Sequence, residues 1–143
     1  MAINDDLNCV ASLCANAADA AVNTLINLGP RPGDAAGAAT WDAQDALLKN
    51  KISTLNNLSS SISALIVNHA LQSTWPNLAG LDKVTADAKK NIDAIKAIAK
   101  AMAAVASVIN FAVAVITIAT QPTAGNAGNV AIAFKNMVNT LSG

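Results

Sequence analysis

Asp42 and Asp45 stand three residues apart, a spacing that puts two carboxylates on one helical face. Acid–base catalysis uses such pairs, but no base, nucleophile or metal partner accompanies them, so they read as a solvated first turn. Ser59, Ser60, Ser61 and Ser63 cluster in "NLSSSIS" with nothing nearby to activate a hydroxyl, which predicts a small polar face. Cys9 and Cys14 are five apart. On one helix they point to different faces with Cα atoms beyond disulfide reach, so two unpaired thiols are expected. His69 is the single histidine, and no second His, Cys or carboxylate stands at ligand spacing from it, which argues against a metal site. Nor is there a nucleophile relay or a phosphate loop. The expectation is a non-enzymatic protein without cofactor.

The remaining candidates would act physically. His69 falls on an apolar helical seam, where protonation would loosen packing, so it is a possible pH trigger. The alternative is a hydrogen-bonded core histidine or a favourable charge at a helix end. Trp41 and Trp75 bracket the same long segment. Each suits either capping of a bundle or interfacial docking at a membrane, where tryptophan is enriched.

Three breaks rich in Gly and Pro, "GPRPGDAAGA" at 29–38, "WPNLAG" at 75–80 and "QPTAGNAG" at 121–128, divide the chain. The four segments between them, about 4–28, 40–73, 81–120 and 129–141, carry helical and not strand periodicity. In the second, Trp41, Leu48, Leu55, Ile62 and His69 recur every seven residues; in the third, Leu81, Ala88, Ile95, Met102, Ile109 and Ile116 do the same. Such seams face other long helices at shallow angles. The predicted fold is all-α: one domain, an elongated antiparallel four-helix bundle, up-down-up-down, with two long central helices.

Hydrophobic residues make up 53% of the 143, aromatics only 3% and charged residues only 13%, so any core is finely grained. Nine basic and nine acidic residues cancel without forming a basic patch, which disfavours nucleic acid as a partner. So few charges near neutrality favour self-association or adsorption to apolar surfaces. The start, "MAINDDLNCV", lacks the basic and apolar regions of a secretory signal. A soluble protein is expected, cytoplasmic or released by a non-classical route.

Charge is unevenly placed. The third segment opens with Lys83–Asp87 and Lys89–Asp93 four apart, and Lys90, Lys96 and Lys100 extend that solvated face. From Ala101 to Phe134 there is then no Asp, Glu, Lys or Arg. "AMAAVASVINFAVAVITIAT", residues 101–120, is long enough as a helix to cross the roughly 30 Å of a bilayer core. Val105, Val108, Ile109, Phe111, Val113, Val115, Ile116 and Ile118 would contribute about −2 to −5 kcal/mol near mid-membrane, offset in part by Ser107, Asn110 and Thr117. Insertion is therefore marginal and conditional. Lys96, Lys100 and Lys135 flank the apolar zone; Pro122, Gly125 and Gly128 supply a hinge. Plain burial at a bundle centre and an oligomer interface remain open, although in a four-helix bundle a helix ordinarily keeps a solvent face.

Over residues 81–141 this pattern resembles the α-helical pore-forming toxins of the haemolysin E and haemolysin BL type, although this chain is much shorter. The resemblance implies a soluble bundle that stores an apolar element, releases it on a lipid membrane and assembles as a homo-oligomer or with a second protein component. The rival is a soluble helical interaction module, or an oligomeric structural protein, with residues 101–120 permanently buried.

Overall fold

The first helix has almost no side it can leave to water, and this determines how the others are placed. In the computed structural model, which describes residues 2–142, α1 spans Ala2–Asn27. Ile3, Val10, Leu13, Cys14, Ala17, Ala20 and Ala21 are wholly buried on it, and Leu7, Ala11 and Ala18 nearly so. Only a narrow stripe that includes Asn8, Ser12, Asp19, Val22 and Ile26 stays exposed. Five further helices follow: α2 (Ala35–Ser63), α3 (His69–Thr74), α4 (Leu81–Asp93), α5 (Ile98–Thr120) and α6 (Ala124–Leu141). No strand occurs among the described residues. α2, α4 and α5 cover three sides of α1, and its alanines let their backbones come close.

Long-range hydrogen bonds fix the directions. Ser59 Oγ donates to the Ala11 carbonyl at 2.8 Å and Trp41 Nε1 to that of Gly29 at 3.1 Å, so α2 runs antiparallel to α1. Thr85 Oγ1 donates to the Cys9 carbonyl at 3.3 Å, Asn16 Nδ2 to that of Thr85 at 3.0 Å, and Asn23 Nδ2 to Asp93 at 3.1 Å. α4 therefore runs parallel to α1. No buried side-chain nitrogen or oxygen lacks a partner among the described residues. The i,i+4 pairs Lys83–Asp87 and Lys89–Asp93 form as their spacing predicts, at 3.2 and 2.8 Å.

The fold is all-α with several long antiparallel pairs, but it has six helices where the sequence pattern predicts four. The segment 40–73 is broken at 64–68, and 81–120 is broken at 94–97. Neither break contains Gly or Pro, although Asn68 closes the first by capping α3, accepting from Leu71 N at 2.8 Å. Burial is the cause. On α4 the buried stripe is Leu81, Thr85, Ala88 and Ile92; on α5 it is Ala101, Ala104, Val105, Val108, Phe111, Ala112, Val115 and Ile118. At 3.6 residues per turn, one unbroken helix would set these stripes roughly 160° apart. No single core could bury both, and the break lets each face inward. The same holds for α2, whose stripe Leu48, Leu55, Ile62 lies about half a turn from Leu71 of α3.

Three boundaries also move, two of them because short side chains cap helices where the pattern gives loop. Asp34 caps α2, accepting from Gly37 N at 2.8 Å, so the helix starts ahead of Thr40. A Cβ at Gly37 would sit 2.8 Å from Asp34 Oδ1, which is why glycine suits that place. Thr123 caps α6 through Asn126 N at 3.1 Å, bringing its start forward from 129 to Ala124. The first helix ends at Asn27, one residue short of its expected end, with Gly29 beyond it in the left-handed region at φ 69°.

Close packing around α1 makes it intolerant of added volume. Ala17→Leu is expected to lower unfolding stability by about 1–3 kcal/mol in urea denaturation, whereas Ser12→Leu, on the exposed stripe, changes it by less than about 0.5 kcal/mol.

Candidate functional site

The charge-free run folds as one antiparallel hairpin. α5 and α6 are joined only by Gln121, Pro122 and Thr123, and the rings of Phe111 and Phe134 meet across the pair at 5.4 Å between centroids, tilted by 48°. α6 packs chiefly on α5 and more lightly on α4, while α5 carries the hairpin onto α1 and α2.

Of the eight side chains predicted to insert, Val105, Val108, Phe111, Val115 and Ile118 are wholly buried against the rest of the core. Ile109 and Ile116 are half-buried, and Val113 is 48% exposed. The sequence pattern suggests that residues 101–120 have no solvent face; the structure corrects this. Ala103, Asn110, Val113, Thr117 and Thr120 form an exposed stripe, uncharged but partly polar. The hydroxyls of Thr117 and Thr120 donate back to the carbonyls of Val113 at 2.8 Å and Thr117 at 3.0 Å, which lowers the cost of those groups in an apolar setting. On α6, Ile132 is 62% exposed. A count of charges could not reveal the stripe, because its exposure depends on the turn between α4 and α5.

The proposed hinge is partly relocated. Pro122 lies in the connection, but Gly125 and Gly128 are inside α6 because Thr123 caps it early, so neither serves as loop glycine. Lys96 and Lys100 are exposed about the start of α5, where Ala97 offers no side-chain cap. Lys135 is exposed well inside α6, not at its margin.

His69 does not occupy a seam. The break after α2 leaves it exposed as the first residue of α3, where Leu71 is the buried member. The trigger expected from its heptad position therefore has no packed interface to loosen. Trp41 and Trp75 are half-buried at opposite ends of α1, and both indole N–H groups are used within the fold. Trp41 donates to the Gly29 carbonyl, and Trp75 to Asp6 Oδ2 at 2.8 Å beside an open cleft of about 330 Å³. The first of these closes the α1–α2 turn together with the Arg31 guanidinium, which forks Asp42 at 2.9 and 3.0 Å. That fork holds the Asp42 carboxyl below its usual range, and Asp45 pairs with Lys49 at 3.0 Å.

Asp93 bonds two side chains, Asn23 across the α1–α4 contact and Lys89 on its own helix. Partial burial pushes its carboxyl up, but hydrogen bonds from Lys89 and Asn23, with the Lys89 charge, outweigh this and hold it low. The stability it contributes is present above the ordinary carboxylate range and is lost as pH falls through the depressed value. Ser59 bonds to α1 and Ser63 to the Ser59 carbonyl at 2.9 Å, both structural uses of a hydroxyl. Among the described residues no group of three His, Cys, Asp or Glu gathers at metal-binding distance. Comparison of the chain with protein-family models, curated proteins and solved structures finds no match.

Both thiols are free. Burial pushes Cys14 up to about 12, and burial with the nearby Asp6 and Asp82 charges raises Cys9. In the folded protein at pH 8, Cys9 should react slowly with a thiol reagent and Cys14 not at all until denaturant is added; mass mapping of the modified cysteine reads this directly.

Proposed function

We infer that the protein is a non-enzymatic, membrane-active toxin or toxin component that stores the α5–α6 hairpin in a soluble bundle and inserts it conditionally. The observation that supports this most is the coincidence of chemistry with architecture. The charge-free run between Lys100 and Lys135 is also a hairpin joined to the charged α4 through a non-helical break, with α5 as its main attachment. The elongated, up-down-up-down bundle expected for such toxins belongs to the same reading, with α1 as its centre.

Lengths divide the labour within the hairpin. From Lys100 to Thr120 a helix covers about 30 Å, which matches a bilayer core. From Thr123 to Lys135 it covers only about 18 Å. α5 is therefore the spanning arm. α6 enters to half depth unless the Lys135 side chain reaches for the headgroups, and Lys96 and Lys100 stay at the entry surface. In the closed state five insertion residues are used as core, so release must be driven by an exchange of one apolar setting for another. A homo-oligomer or a second component would cover the polar stripe of Asn110 and Thr117 once in lipid.

A second reading is favoured by that same burial. Val105, Val108, Phe111, Val115 and Ile118 are all fully covered, as a permanent core helix would be. α1 is itself apolar and long enough to cross a membrane, yet it forms the centre of the fold. A soluble interaction module with α5 fixed in place has this appearance too.

Purified protein is expected to release dye from phospholipid vesicles, with Val113→Asp as the discriminating variant. Val113 faces solvent, so its replacement should leave the melting temperature nearly unchanged. A carboxylate at mid-helix costs about 2.5–3.5 kcal/mol in a membrane, which predicts roughly a hundredfold loss of release. Absence of release by the unaltered protein at neutral and acidic pH, alone and with cell extract as a source of partner, favours the soluble module.

A further inference from the structure

The cleft beside Trp75 has a chemistry of its own. It lies between the first turns of α1 and the segment that follows α3, and its volume of about 330 Å³ falls in the range of small-ligand sites. Ile3 and Leu78, both buried, give it apolar surface, and Trp75 and Pro76 add a flat, stiff pair beside them. Asp6 is the one charged residue that lines it; Gln72 and Asn77 bring neutral amides.

The Trp75 indole N–H donates to Asp6 Oδ2 at 2.8 Å, which fixes the ring beside the carboxylate and leaves Oδ1 to another partner. The local potential is negative. After burial, the charges of Asp6, Asp82 and Asp5 are what raise the Cys9 thiol, one turn further along α1. Three carboxylates outweigh the roughly half positive charge at the start of that helix. Lys83, next to Asp82, is paired with Asp87. An indole ring held beside a carboxylate, over apolar surface and with no base in the lining, suits an organic cation with a methylated, weakly hydrated surface. A metal ion would find a single carboxylate there, too few oxygens to replace its water.

The surroundings point to a lipid as the bearer of that cation. Ser59 sits beside Ala11 on antiparallel helices, so α2 delivers the break at 64–68 to the same end of the bundle. There Ile66 is 84% exposed, more than any other large hydrophobic side chain among the described residues. The hairpin tip comes to this end as well. α4 runs parallel to α1 and puts the 94–97 break at the far end, near Asn23. α6 finishes there, since Val138 and Leu141 line a hollow with Asp87 and Asn91, and Thr140 another with Ile95 and Lys100. The 121–123 connection, at the other end of α6, therefore lies toward the cleft. We propose that the cleft takes the trimethylammonium group of a phosphatidylcholine headgroup, against the Trp75 ring and Asp6 Oδ1, while Ile66 enters the interface beside it. Docked in this way, the protein presents the 121–123 connection to the bilayer, and the hairpin enters tip first with Lys96 and Lys100 left at the surface. The inference rests on the membrane-active reading for the lipid as source of the cation, but not for the cleft or the cation it selects.

Choline chloride, titrated against sodium chloride at equal ionic strength, tests the cleft through the NMR signals of the two indole N–H groups. The Trp75 signal is expected to shift with half-saturation on the order of 10 mM, while that of Trp41 stays in place. Asp6→Asn still accepts from the indole but removes the charge, and should weaken the response about tenfold. Vesicle flotation supplies the second arm. Binding to phosphatidylcholine vesicles should exceed binding to phosphatidylglycerol vesicles by about tenfold or more. Ile66→Ser, at a site too exposed to alter folding, should lower vesicle binding roughly tenfold and leave the choline titration unchanged. A Trp75 signal unmoved by choline overturns the proposal even where dye is released, and the membrane reading then survives without it. Choline binding without vesicle binding also overturns it, because the cleft then serves a free solute. Equal binding to the two kinds of vesicle does the same, as does an Asp6→Asn variant that responds to choline like its parent. Docking on phosphatidylcholine without dye release upholds the proposal and removes the pore.

Discussion

α2, α4 and α5 are placed by the need to cover α1. That helix buries small side chains on three sides, so its neighbours can approach only with a matched apolar stripe and little spare volume. α2 and α4 supply such stripes directly, one antiparallel and one parallel. α5 supplies one only after the chain turns at 94–97, because its buried stripe lies nearly opposite the one that α4 presents. The helical interruption at 94–97, without glycine or proline, and the half-exposed outer face of α5 follow from this one requirement.

The hairpin follows a second constraint, the absence of charge between Lys100 and Lys135. A helix that joins a core without charged residues can still keep a solvent side if that side is built of Ala, Asn, Val and Thr, as α5 shows. The threonine hydroxyls on that side already bond to their own helix, which lowers their cost in lipid. In the proposed function, residues that serve as core in water become lipid-facing without any change in their chemistry. α1 sets the limit on this argument: it is also long and apolar, and its role is to be the centre.

Helical periodicity and the distribution of charge made the all-α class, the i,i+4 ion pairs on α4, the unpaired thiols and the extent of the apolar run legible in the sequence. The helix count was not legible, because heptad spacing runs unbroken through Ile62–His69 and Ala88–Met102, and of local signals only Asn68, which caps α3, marks a stop. The reason is tertiary: two stripes of different phase must reach one core. Caps were harder still. Asp34 and Thr123 sit in segments rich in Gly and Pro that read as loop, and only their hydrogen bonds to Gly37 and Asn126 show that helices begin there. For the candidate site, the identity of the apolar residues was legible, but not which of them face solvent, since that depends on how far the chain rotates between α4 and α5.

The central claim is that α5 can leave α1 for lipid, and amide hydrogen exchange measures both partners at once. On addition of phospholipid vesicles, α1 amides should exchange faster as their cover departs, while α5 amides stay protected within the membrane. Vesicle-bound protein in which α1 and α5 keep the same protection as in buffer would contradict the claim and leave the hairpin as a permanent part of the core.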